Sequence, residues 1–326
     1  MELIIKPTGR CNFSCTFCSA GDMTIQHPKD EKVPNKIKEL IKQMNPTTII
    51  ITGGEPLLMQ PDYYYELHEL MPNVNISPTT NLKDFYLHPE KWAPLFNEKW
   101  FKITTSFNYG NTRRWNKDTI FTEEMFIDVI ERFKKYVPDK GVPMFIAVID
   151  DDNENTVMDH ILLAKRLGTI CKLNRAVGVG YQSIGYQRYK MMKHYLDIID
   201  AGLEDYEWNC KYRHKGTCPY NIQHSCNSTI RCVYIDNNDI MHVGTCDEKL
   251  SMGIEIPKDE LINPDYIPKY EHINYNDFIT KECAYCELFN LCNGCEVNRI
   301  EAKLDPNYCT EMKKLESRIL KSGWIL

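Results

Sequence analysis

Fourteen cysteines stand in this chain of 326 residues, and their placement limits what it can fold into. Cys11, Cys15 and Cys18 lie together near the N-terminus, and ten more lie between Cys210 and Cys309. At about 4% of the residues they fall short of a disulfide scaffold, which runs at ~8–10%. With 43% hydrophobic and 26% charged residues, the chain can build a core without covalent staples. Met1-Glu2-Leu3-Ile4-Ile5 lacks the regions of an export signal, and no apolar run approaches the ~18 residues that cross a bilayer. No membrane association and a cytoplasmic location are therefore expected. In that reducing compartment, clustered thiols point to metal or redox chemistry. A net charge of -6 excludes the broad basic footprint of a non-specific nucleic-acid binder and leaves nucleic acid only a local basic cleft.

Ahead of the second cluster, short β-branched runs alternate with helical patterns, the sign of a parallel sheet covered by helices. Strands are predicted at Leu3–Lys6, Thr48–Thr52, Asn73–Ser77, Phe101–Ser106, Phe145–Ile149 and Thr169–Leu173. Helices are predicted at Asn35–Met44, Asp62–Met71, Pro89–Phe96, Glu123–Tyr136, Glu154–Leu167 and Tyr189–Ile199. Periodicity alone leaves an open doubly wound sheet and a partial barrel both standing. From Cys210 to Cys309 the chain reads as loop-like, with too few apolar residues to order itself cheaply, so bound metal is the expected organiser. A boundary between Asp200 and Trp208 divides residues 1–200 from 201–326.

Cys11-x3-Cys15-x2-Cys18 sits just after the first predicted strand. Three soft thiolates suit zinc or an iron–sulfur cluster. Three without a fourth leave one iron of a [4Fe–4S] cluster open, and an open position means chemistry. Thr52-Gly53-Gly54-Glu55-Pro56 follows the second strand. Its glycines permit close approach of backbone to a ligand, and Glu55 can pair with a cation.

Together these motifs resemble the radical S-adenosylmethionine (radical SAM) superfamily. The resemblance implies an α/β fold, a partial (β/α)6 TIM-like barrel with its chemistry at the strand C-terminal ends. It implies a cluster on Cys11, Cys15 and Cys18 and the amino end of SAM at Gly53, Gly54 and Glu55. Further SAM contacts fall at Thr80 and Asn81, where Leu82 replaces a family glycine, and at Ser106 with Arg113 and Arg114 beyond it. The chemistry implied is reductive cleavage of SAM and hydrogen abstraction by a 5′-deoxyadenosyl radical, with the barrel positioning substrate and excluding water.

The second array reads Cys226-x5-Cys232-x13-Cys246, then Cys283-x2-Cys286-x5-Cys292-x2-Cys295-x13-Cys309. Eight thiols suffice for two four-iron clusters, while C-x2-C pairs also suit zinc. The array resembles the SPASM extension of radical SAM enzymes, above all the anaerobic sulfatase-maturase branch. That likeness implies an iron–sulfur SPASM domain and three [4Fe–4S] clusters in all. Cys226, Cys232, Cys246 and Cys295 would hold the nearer auxiliary cluster, and Cys283, Cys286, Cys292 and Cys309 the farther one. Two departures stand out. Only Asn293 and Gly294 separate Cys292 from Cys295, and Met241 replaces a glycine, so Asn237-Asn238-Asp239 must turn instead. Cys218 is an alternative to Cys226, while Cys171, Cys210 and Cys218 otherwise read as buried or incidental.

The same likeness makes Asp247 the base that deprotonates a hydroxyl or thiol during oxidation to an aldehyde. The expected function is hydrogen abstraction from a peptide or protein side chain, giving a formylglycine-type or cross-linked product, with flavodoxin or ferredoxin as electron donor. Because the chain starts on its first strand, an N-terminal leader-binding module is not expected. The competing expectations are a sugar, nucleotide or modified nucleic-acid base as substrate, and a non-catalytic iron–sulfur electron carrier.

Overall fold

The structure, a computed structural model, describes residues 2–18, 32–110, 112–176, 185–212, 232–236, 241–244, 254–255, 283, 285–289, 302 and 305–323. Six parallel strands form its centre: β1 (Glu2–Lys6), β2 (Thr48–Ile51), β3 (Asn75–Thr80), β4 (Thr104–Ser106), β5 (Met144–Ile149) and β6 (Cys171–Arg175). They lie side by side in chain order, joined by helical crossovers as parallel strands require. The helices are α1 (Asn35–Met44), α2 (Pro61–Leu70), α3 (Lys83–Leu87), α4 (Pro89–Asn97), α5 (Glu123–Tyr136), α6 (Val157–Leu167) and α7 (Arg188–Asp200). This α/β arrangement is a partial (β/α)6 barrel, as the sequence led one to expect.

Local chemistry sets the boundaries. Thr122 caps α5 by accepting from the Met125 N–H at 3.4 Å; Glu123 and Glu124 open the helix, and Lys134 and Lys135 close it, each charge matched to the helix dipole. Gly168 ends α6 in the left-handed conformation. Alternate strand residues, among them Leu3, Ile5, Ile49, Ile51, Ile76, Phe145, Ala147 and Ile149, are fully buried. They join Ile37, Tyr64, Leu67, Trp92, Phe96 and Phe133 from the helices in one core, each large side chain contributing about 1.5–3 kcal/mol.

Several expectations need correcting: β4 starts three residues later than predicted, at Thr104, and β6 two residues later, at Cys171. β3 starts two residues later than predicted, because a turn closed by the Val74 N–H on the Met71 carbonyl at 3.0 Å occupies its expected start. It runs on to Thr80, with Pro78 opposite Ile51. The stretch from Cys210 to Cys309 is also not wholly loop-like. It contains β7 (Cys232–Asp236), β8 (Met241–Gly244) and β9 (Ile254–Glu255). β7 pairs in parallel with β1, Ile5 opposite Ile235, and β8 and β9 follow antiparallel. Sheet pairing thus supplies order that composition did not promise.

After β6, the short α8 (Trp208–Tyr212) packs beside β6 and α7. Cys171 and Cys210 are buried. Near the C-terminus, α9 (Tyr308–Lys314) and α10 (Glu316–Ser322) return to α7, where Arg318 bonds Asp197 and Asp200 at 2.7 Å each. Among the described residues, no helix is long and apolar enough to cross a membrane.

Candidate active site at the ends of the first four strands

The site begins where β1 and β2 stop pairing as strands and continue pairing as loops. Gly54 donates its N–H to the Thr8 carbonyl at 2.9 Å, and Glu55 to the Arg10 carbonyl at 2.8 Å. A Cβ on Gly54 would stand 1.9 Å from the Arg10 oxygen; one on Gly53, whose φ is +117°, would stand 2.7 Å from the Thr8 oxygen. The close approach that requires both glycines is therefore to the backbone immediately ahead of Cys11.

Glu55 is 2% exposed. Its Oε1 accepts from the Leu57 N–H at 3.0 Å and from the Thr80 hydroxyl, and its Oε2 accepts from the Asn81 N–H at 2.8 Å. One carboxylate thus ties the end of β2 to the end of β3. Burial pushes its pKa up to about 7, against the pull of the Asn81 N–H, the Thr80 hydroxyl, the Leu57 N–H and the Arg113 charge.

From β3 the web reaches the cysteines. Asn81 Nδ2 donates to Asn12 Oδ1 at 2.8 Å and lies 3.9 Å from Cys11 Sγ. Lys83 Nζ donates to the carbonyls of Asn12 and Trp115 at 3.0 and 2.5 Å. Leu82 holds φ +61°, the left-handed backbone that glycine adopts without strain. Thr80 Oγ1 accepts from the Leu82 N–H and Asn81 Oδ1 from the Lys83 N–H, both at 2.9 Å, and these bonds fix that turn.

The loop after β4 closes the other side. Ser14 and Thr16 donate their N–H groups to the carbonyls of Arg114 and Thr112 at 3.1 and 2.9 Å. Phe13 is buried against Trp115 and Phe121, with ring centroids 5.5 and 5.2 Å away. The two adjacent arginines part company. Arg113 is 6% exposed, lies over the Phe13 ring at 5.2 Å and donates to Ser106 Oγ at 2.5 Å. Arg114, only partly buried, spends its guanidinium on the Lys117 carbonyl at 3.2 Å. Among the described residues, Arg113 Nε and Thr112 Oγ1 are buried without a hydrogen-bond partner.

Cys11, Cys15 and Cys18 all lie on this braced loop. Cys11 is exposed as a residue, yet its sulfur faces Phe13, whose N–H donates to it at 3.4 Å. Its thiol is pushed up to about 12, first by desolvation, then by the negative charges of Glu55, Cys15 and Cys18. Mutually repelling thiolates are what a cationic iron centre relieves, since a bound metal inverts the local pKa logic. Among the described residues, no three His, Cys, Asp or Glu side chains gather closely enough to hold an ion in common. The three thiols thus share a loop without closing on one point. The donor set fits an iron–sulfur cluster, and the orphaned Arg113 Nε fits a carboxylate-bearing ligand beside it.

Of the auxiliary cysteines, Cys283 and Cys286 share a turn closed by the Cys286 N–H on the Cys283 carbonyl at 3.1 Å, and Cys309 lies on α9. Cys232 opens β7, where only the backbone is described. Cys226, Cys246, Cys292, Cys295, Cys218 and the expected base Asp247 lie outside the described residues. Sequence reasoning missed Asn12, Thr112 and Lys83. The alternation Arg113, Trp115 with Phe121 was the available signal for which arginine turns inward.

Comparison with known proteins gives matching results. The family profile of the radical SAM superfamily matches residues 5–164. The chain is 22% identical to the cysteine-type anaerobic sulfatase-maturating enzyme of Clostridium perfringens, over 96% of this chain and 94% of that one. It is 36% identical to the GTP 3′,8-cyclase of Staphylococcus saprophyticus, over 24% of this chain and 26% of the other. Among solved structures it resembles native anSMEcpe with bound AdoMet and Cp18Cys peptide, with a TM-score of 0.65 and 20% identity, covering 98% and 96% of the two chains. It also resembles Streptococcus suis SuiB bound to S-adenosylmethionine, with a TM-score of 0.61 and 16% identity, covering 91% and 73%.

Proposed function

The chain carries a radical SAM domain, and on that premise we propose that it oxidises a peptide or protein side chain in the cytoplasm, giving a formylglycine-type aldehyde or a cross-link. The observation that carries this reading is the likeness to the sulfatase-maturating enzyme, which runs through both cysteine arrays rather than the barrel alone. The solved relative with a bound peptide is matched along almost all of both chains.

When bound, the cluster and SAM supply a carbon radical that removes a hydrogen atom from the substrate. Cys11, Cys15 and Cys18 hold the cluster on the loop that Asn81, Lys83 and Arg113 brace. Gly53, Gly54, Glu55, Thr80 and Asn81 shape the end of the site that receives the amino-acid part of SAM. Ser106 and Arg113 face its hydroxyl-bearing and carboxylate groups; Arg113 is preferred to Arg114 because its Nε is buried and unspent. Cys226, Cys232, Cys246 and Cys295 hold one auxiliary [4Fe–4S] cluster, and Cys283, Cys286, Cys292 and Cys309 the other. Asp247 would take the proton that leaves the substrate and an auxiliary cluster would accept its second electron, while a flavodoxin or ferredoxin would supply the electron that reduces the cluster on Cys11, Cys15 and Cys18.

The test uses anaerobically reconstituted protein with SAM, a reductant and peptides deuterated at the β-carbon of cysteine or serine. Deuterium in 5′-deoxyadenosine, with loss of two hydrogens from the peptide, is the expected result. A nucleotide is the second reading, favoured by the partial likeness to the GTP cyclase; transfer from labelled nucleotide but never from peptide establishes it instead. Absence of SAM cleavage with either class would leave an electron carrier. About twelve irons per chain match three clusters, and about four match one.

A further inference from the structure

Lys83 opens α3 and sends its ammonium back across the site to the cysteine loop. It donates to the carbonyl of Asn12, the residue next to Cys11, at 3.0 Å and to the Trp115 carbonyl at 2.5 Å. The nitrogen lies 4.7 Å from the Trp115 ring centroid and 5.7 Å from that of Phe13. Among the described residues, no carboxylate makes an ion pair with it. Two carbonyls and aromatic faces are acceptors, so this pocket is built for the ammonium form. A half-buried cation held this way still lacks a formal counter-charge, which is costly away from water. Desolvation pulls the Lys83 pKa down, and the charge of Cys11, once ionised, acts in the opposite, favourable direction.

We propose that Lys83 is a positioning residue for the iron–sulfur centre: it clamps the Cys11–Asn12 turn between β3 and the loop after β4, and it holds a fixed positive charge beside Cys11 that favours the reduced centre. The inference rests on the radical SAM reading of Cys11, Cys15 and Cys18. A centre carried by three thiolates becomes more anionic when it accepts an electron, and a cation held close in a partly dry pocket favours that state. Asn81, which bonds Asn12 from the same side, helps to place the turn but brings no charge.

The experiment compares the full-length reconstituted protein with Lys83→Arg, Lys83→Gln and Lys83→Met. Circular dichroism checks the fold, iron is quantified per chain, and the electron paramagnetic signal that responds to added SAM is titrated against potential. At a fixed applied potential, the ratio of reduced to oxidised centre is expected to fall about tenfold in Lys83→Met and Lys83→Gln, about 59 mV for a one-electron couple. Lys83→Arg is expected to stay within about twofold of wild type. Gln keeps a donor for the Asn12 carbonyl and so separates charge from clamp. If Met loses the centre while Gln keeps it at shifted potential, both halves of the proposal stand. If both neutral variants lose it while Arg keeps it, the requirement for a cation stands.

Neutral variants that titrate like wild type overturn the proposal, as does loss of the centre from all three folded variants. A wild-type protein without any SAM-responsive signal would instead bring down the radical SAM reading itself.

Discussion

The first four strand ends and the last two of the central sheet both bury polar side chains, and they use them differently. Around β5 and β6 several buried groups are paired within the protein, although Gln187 Oε1 at the start of α7 is not. Asn153 Nδ2 donates to the Val148 carbonyl at 2.9 Å, and Asn108 Nδ2 reaches the same carbonyl at 2.6 Å from the loop after β4. His160 bonds the Thr156 carbonyl through Nδ1 at 2.8 Å, and its Nε2 accepts from the Tyr109 N–H at 3.1 Å. Glu207 accepts from the N–H groups of Leu173 and Cys210 at 3.1 and 2.6 Å. Around β1–β4, by contrast, Arg113 and Thr112 keep buried atoms unspent, and Leu82 and Gly53 hold positive φ. A satisfied polar group serves the fold, whereas the unspent Arg113 donor beside the cysteine loop is available to a ligand.

That contrast can be broken by substitution. The largest effect is expected at Gly54→Ala, whose Cβ meets a backbone oxygen that has nowhere to retreat. Stability should fall by about 4 kcal/mol or more, read from the denaturant midpoint. Gly168→Ala meets nothing within 4 Å and bears only the cost of its left-handed φ, about 1 kcal/mol.

Next comes pH, where the two regions oppose each other. Glu55 is raised from 4.5 to about 7, so the folded state holds the extra proton; its contribution is whole below 4.5 and is lost as pH rises through about 7. His160 is lowered from 6.5 to about 4 by burial. Its contribution is whole above 6.5 and is lost as pH falls through about 4. Each amounts to roughly 3 kcal/mol, and over the shared window the slopes nearly cancel. Glu55→Gln should leave a stability that climbs with pH between those limits, and His160→Gln one that declines. Parallel profiles from the two variants, measured by urea unfolding in a pH series, would refute the assignment.

Third, Arg113→Met is expected to weaken SAM binding about 100-fold, about 2.7 kcal/mol, while Arg114→Met changes it less than threefold, under about 0.7 kcal/mol. Equilibrium dialysis against the reconstituted protein separates them. The smallest effect belongs to Arg318→Ala. Its pairs with Asp197 and Asp200 lie at the surface, with the arginine side chain 31% exposed, so less than about 1 kcal/mol should be lost.

Much of this was legible beforehand, because strand and helix periodicity is local. All six central strands, and the helices other than the unpredicted α3, α8, α9 and α10, stand within a few residues of their predicted places, and the cysteine and glycine motifs do follow successive strands. What was not legible depends on partners distant in sequence. Glycines read as an approach to ligand are required by the Thr8 and Arg10 carbonyls, some forty residues earlier. The carboxylate of Glu55, read as a partner for a cation, is engaged by Thr80, Asn81 and Leu57. Lys83 drew no notice, since no local pattern says that a lysine opening a short helix will reach Asn12. β7 escaped because a five-residue strand has little signal until β1 supplies its edge.

The pairing of β7 with β1 bears on how the molecule is made. β1 precedes Cys232–Asp236 by more than two hundred residues, yet one of its edges finds its partner only when that segment arrives. Until then that edge presents unpaired amides and carbonyls, a template for foreign strands. A barrel cut off at residue 200 would keep this adhesive edge permanently, and should associate with itself where the intact chain does not.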